Sequence, residues 1–97
     1  MTPEIAYRRL EGHPGWVVER SRIYRDFRLP SFVDAIALVN RVAEVSERMG
    51  HHPNIRVHEW CFVQVELYSH LENALTARDV ALALAIDAAL GDEALLE

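Results

Sequence analysis

The chain has 97 residues, 51% of them hydrophobic, with a formal net charge of −5 and a single cysteine, Cys61. That length and apolar fraction suit one domain, 1–97, with a real core; the acidic balance lacks the basic footprint of a nucleic-acid binder, and one thiol excludes an intramolecular disulfide. No apolar run reaches the ~20 residues of a membrane span, and the start of the chain carries no basic-then-apolar secretory pattern, so a cytoplasmic, reducing location is expected.

In chain order, Thr2-Pro3-Glu4 reads as an N-cap, a first-turn proline and an acidic residue at the positive end of a short helix. That helix is expected to run to about Leu10 and to be broken by Glu11-Gly12-His13-Pro14-Gly15. Residues 16–19 and 23–29 read as strands. In the second, Ile23, Arg25, Phe27 and Leu29 share one face. The intervening Arg20-Ser21-Arg22 closes a hairpin without the glycine usual there.

Pro30 ends that strand, and Ser31 with Asp34 forms a capping box before a long helix over 32–49. Phe32, Ile36, Val39, Val42 and Met49 are expected to form its apolar stripe, which Val33, Ala37, Leu38 and Val45 broaden beyond the needs of a one-sided helix. Part of this helix is therefore expected to face a second subunit. Gly50 ends it and Pro53 prevents its resumption. Residues 54–58 form a third strand and 60–69 a fourth, with Val63, Val65 and Leu67 on one face and Phe62, Gln64, Glu66 and Tyr68 on the other. Thr76 with Asp79 caps a last helix over 77–90, ended by Gly91. The order is α-β-β-α-β-β-α. It implies an α+β fold, a four-stranded antiparallel sheet with three helices on one face. Its open sheet edges call for cover.

Chemistry concentrates in three imidazoles. His51 and His52 follow the end of the long helix, where free carbonyls favour an imidazolium. His70 ends the fourth strand on the face of Tyr68 and Glu66. Each has a bland alternative: a histidine that caps carbonyls, and a solvated strand end. Asp79 could serve only as a helix cap, Glu47 could be a solvated helix residue, and Trp60 could be core or the wall of a flat ligand's site. His13 and His58 lack telling partners and read as surface residues. A zinc site is disfavoured, because adjacent histidines rarely reach one ion and no Cys-x-x-Cys or His-x-x-x-His spacing occurs. Cys61 alternates with Val63 and Val65 and reads as buried and inert.

Taken together, Glu47, His51-His52-Pro53, Trp60, His70 and Asp79 resemble the pattern of the pterin-4a-carbinolamine dehydratase family. That pattern is an acidic residue, three positions, His-His-Pro, a short spacer, an aromatic residue, nine positions, His, a spacer and Asp. Trp16 after a glycine, Arg25, Phe27, Ala43, Glu44 and Leu75-Thr76 extend the likeness over most of the chain. It departs at Tyr68-Ser69-His70, where the family has Thr or Ser before Thr-His, at Ala74, where a glycine is common, and in a long spacer from Pro53 to Trp60.

The resemblance implies loss of water from 4a-hydroxytetrahydrobiopterin to give quinonoid dihydrobiopterin, with no metal and no organic cofactor. His51 and His70 would form the acid/base pair and His52 would bind and orient the pterin. Pro53 would shape the loop, Ser69, Leu71 and Glu72 would line the pocket, and Glu47, Trp60 and Asp79 would support it. Members form dimers or tetramers through sheet edges and the long helix. Two other readings share the pattern: a non-catalytic dimerisation or assembly factor, and a pterin enzyme of molybdopterin metabolism. Retention of all three histidines favours catalysis, because a scaffold does not require them.

Overall fold

The computed structural model describes residues 1–69 and 74–91. The first helix, α1 (Pro3–Arg9), starts where Thr2 Oγ1 accepts the Ile5 N–H, with Pro3 at the position where a missing N–H costs nothing. Strands β1 (Trp16–Val18) and β2 (Ile23–Arg28) pair antiparallel, with Val18 opposite Ile23. Their turn closes through Glu19 N–H to the Arg22 carbonyl at 2.8 Å. The Arg22 guanidinium donates to Glu19 at 2.6 Å and to Glu66 on the neighbouring strand. Those two hydrogen bonds, Glu19's first, raise the Arg22 pKa, and the guanidinium links this glycine-free turn to the neighbouring strand.

Helix α2 (Phe32–Met49) begins at Ser31, whose Oγ accepts the Asp34 N–H at 3.1 Å and donates to its carboxylate at 2.9 Å. Its buried residues are Ala35, Leu38, Val42, Val45 and Ser46, spaced three and four apart as a helix face requires. This corrects the expected stripe. Val42 belongs to the packed face and Val39 is partly buried, but Phe32, Ile36 and Met49 are exposed. The helix turns Ala35, Leu38, Val42 and Val45 to the core and leaves Phe32, Val33, Ile36 and Met49 outward.

Strands β3 (Asn54–His58) and β4 (Phe62–Leu67) and helix α3 (Ala77–Leu90) complete the described elements. The four strands are antiparallel in the order β1-β2-β4-β3. Ile23, Arg25 and Phe27 of β2 and Val63, Val65 and Leu67 of β4 are buried; the alternate residues are not. One sheet face therefore carries the helices. β4 starts later than expected: Glu59 and Trp60 have positive φ, 47° and 56°, and form the β3–β4 turn. Trp60 is 61% exposed at that tip. Cys61 is buried, as its alternation implies.

A polar centre at Asp87 fastens α3 across β1 and β2. The Asp87 carboxylate receives the Trp16 indole N–H at 3.0 Å, the Arg25 guanidinium at 3.2 Å and the His13 Nδ1 at 3.0 Å. His13 is thus partly buried and paired, and His58 is partly buried and stacked on Phe62 with ring centroids 5.4 Å apart; neither is the free surface residue expected. Gly15, at φ +101°, lies so close to Arg25 that a Cβ would sit 2.7 Å from its Nε. Only glycine fits there. Among the described residues no helix is long and apolar enough to cross a membrane.

Candidate active site

The end of α2 places His51. Gly50 adopts the left-handed conformation, φ 64° and ψ 28°, which turns the chain out of the helix. The Gly50 N–H then reaches the Glu47 carbonyl and the His51 N–H reaches the Ser46 carbonyl, each at 3.2 Å. This is the paired closure of a Schellman motif. Space does not demand glycine, since a Cβ would meet nothing within 4 Å; the positive φ does. The helix terminator therefore also aims the next residue inward. The His51 side chain is only 10% exposed.

Its partner comes from α3. His51 Nε2 lies 2.6 Å from Asp79 Oδ1, and Asp79 is fully buried. The other oxygen, Oδ2, accepts the Thr76 N–H at 3.0 Å and the Ser69 hydroxyl at 3.3 Å, and Ser69 Oγ lies 2.8 Å from Thr76 Oγ1. The sequence left Asp79 as a helix cap or a supporting residue of the site; one carboxylate caps α3 and holds His51. An ionised carboxylate only accepts hydrogen bonds, so His51 Nε2 must carry the proton. Nδ1 is then the ring nitrogen that carries the lone pair, the position from which this histidine can exchange a proton with a bound molecule.

The other expected residues divide. His52 Nε2 meets Glu47 Oε1 at 2.6 Å, with side chains 65% and 77% exposed. Glu47 thus pairs with His52 and not with His51, and this pair faces solvent beside the buried dyad. Pro53 is partly buried between His52 and β3. Ser69 joins the dyad's network from the end of β4. Trp60 does not join it, because it lies at the far end of β3 from His51. His70, Leu71 and Glu72 lie outside the described residues. Two contacts escaped sequence reasoning: the Thr76 hydroxyl beside Ser69, and Arg78, whose Nη2 donates to the Gly50 carbonyl at 2.7 Å. Thr76 was visible only as a cap, and Arg78 gave no local signal. Among the described residues no three histidine, cysteine or carboxylate groups gather to hold a metal ion.

The family model for pterin 4 alpha carbinolamine dehydratase matches residues 1–89. A Chloroflexus aurantiacus protein named "Putative pterin-4-alpha-carbinolamine dehydratase" is 43% identical over 88 residues, 91% of this chain and 92% of that protein. A Nocardia farcinica protein of the same name is 45% identical over 78 residues, covering 80% and 81%. Among solved structures, a transcriptional coactivator/pterin dehydratase from Brucella melitensis superposes with a TM-score of 0.79 at 29% identity, covering 94% of this chain and 98% of that one. A pterin dehydratase-like RuBisCO assembly factor of the alpha-carboxysome shares the fold, with a TM-score of 0.63 at 24% identity over 81% of this chain and 93% of that one.

Proposed function

The chain belongs to the pterin 4 alpha carbinolamine dehydratase family, and from that premise we propose that it removes water from a 4a-hydroxytetrahydropterin, such as 4a-hydroxytetrahydrobiopterin, to give the quinonoid dihydropterin. One observation carries the reading: a buried histidine held by a buried carboxylate at 2.6 Å, on the residues where the family pattern has them. The reaction breaks the C4a–O bond and forms C4a=N5. A base takes the N5 proton, and an acid gives a proton to the departing hydroxyl, which leaves as water. His51, with Nε2–H fixed on Asp79, offers Nδ1 for one of these transfers, and His70 is the partner for the other. His52, exposed and paired with Glu47, binds and orients the heterocycle, and Ser69 and Pro53 shape the site. No step needs a metal or an organic cofactor, and pterin recycling is the setting.

As part of the same reading we infer a homodimer or homotetramer. Phe32, Val33, Ile36 and Met49 line α2 at 54%, 76%, 37% and 39% exposure, more apolar surface on one helix than a monomer has reason to leave in water.

The test is dehydration of 4a-hydroxytetrahydropterin, followed by absorbance, for wild type, His51→Ala and His70→Ala. Each variant is expected to lose about 100-fold or more in kcat/KM while still folding, the usual worth of a general acid or base. An inactive wild type would defeat the enzymatic reading and leave an assembly or dimerisation factor.

A further inference from the structure

We propose that Arg78 is a positioning residue for His51. The inference rests on the dehydratase reading for its kinetic consequence but not for its geometry. Arg78 Nη2 donates to the Gly50 carbonyl at 2.7 Å. That carbonyl belongs to the peptide joining Gly50 to His51, and the N–H of the same peptide donates to the Ser46 carbonyl at 3.2 Å. The plane is therefore held at both ends. A peptide plane so fixed sets the direction in which the next Cα–Cβ bond leaves the backbone.

The residue after Arg78 is Asp79, which holds the His51 ring at Nε2. One turn of α3 thus grips His51 at two points, backbone through Arg78 and imidazole through Asp79. Water could satisfy the Gly50 carbonyl equally well as a donor, since last-turn carbonyls are open to solvent. Water would not fix its direction. The contact is solvent-exposed, so its loss opens no cavity and strands no buried charge, and exposed contacts of this kind add little to stability. Positioning and stability consequently separate. Only one guanidinium nitrogen is shown donating to this carbonyl, so the planar fork is not required and a lysine ammonium can replace it.

The experiment compares wild type, Arg78→Ala and Arg78→Lys by steady-state kinetics, thermal melting and proton NMR of the His51 Nε2–H, assigned by its loss in Asp79→Asn. Arg78→Ala is expected to lower kcat about 10-fold with KM within about 2-fold, the scale of a small misplacement of a reacting group. Its melting temperature should stay near wild type, its His51 N–H should exchange with water about 10-fold faster, and Arg78→Lys should restore all of these. Wild-type kcat and exchange in Arg78→Ala would overturn the proposal, as would parallel loss of melting temperature and rate that lysine does not rescue. If wild-type protein does not dehydrate the pterin, the dehydratase reading falls, and the exchange measurement decides the role of Arg78 alone.

Discussion

Asp79 has no exposed surface, so its charge must be met inside the protein, and among the described residues the His51 ring, the Ser69 hydroxyl and both the N–H and the hydroxyl of Thr76 meet it. Asp79→Asn keeps the shape but offers an amide that both donates and accepts, so the His51 tautomer is no longer imposed. A loss of kcat between about 100- and 10,000-fold is expected, the upper figure being that of the corresponding change in a serine-protease triad. Steady-state kinetics on a variant shown by circular dichroism to be folded would check it; near-native kcat would remove Asp79 from the mechanism. Glu47 and His52 contrast with this pair. Both are exposed, so Glu47→Gln should change unfolding free energy by less than about 0.5 kcal/mol in denaturant titration.

At the level of the element, α2 does two jobs, and its end couples them. Its buried face packs on the sheet, while its terminator delivers His51 into the protein. Gly50→Ala places a Cβ in open space but forces a non-glycine residue to φ 64°. The expected cost is about 1 kcal/mol, read as a lower denaturation midpoint at unchanged slope. Activity should fall further than that stability loss explains, because any relaxation of the turn also swings His51 away from Asp79. A variant with the expected destabilisation and unaltered kcat would separate the terminator from the site.

In the molecule as a whole, Asp87 ties distant segments together: His13 before β1, Trp16 on β1, Arg25 on β2 and its own helix. Replacing a carboxylate that buried Arg25 and a buried indole both use is expected to cost about 3 kcal/mol or more. Urea denaturation of Asp87→Ala would measure it, and a change under about 1 kcal/mol would show the centre to be dispensable. The outward face of α2 belongs to this scale too. Ile36→Glu, made at a position outside the core, should leave the fold intact and shift sedimentation toward a smaller species; unchanged sedimentation would defeat the proposed interface on α2.

Periodicity and punctuation act over a few residues, and there the sequence was decisive. The caps at Thr2, Ser31 and Thr76, the terminator Gly50, the alternation of β2 and β4 and the element order were all legible, because each depends on bonds and excluded volumes within one or two turns. The histidine pattern was legible as a set of candidates, and the family it indicates is the one to which the chain belongs. What the sequence could not decide is which face of a helix meets the sheet and which carboxylate meets which imidazole. Phe32 and Ile36 are as apolar as Leu38 and Val42, and only packing on a twisted sheet selects between them. Glu47 and Asp79 are both carboxylates near a histidine pair, and only the fold brings α3, twenty-eight residues on from His51, close enough to give Asp79 the buried ring and leave Glu47 the exposed one. Distances across the chain are set by tertiary closure, and the dyad, the Asp87 centre and the Arg78 contact exist only there.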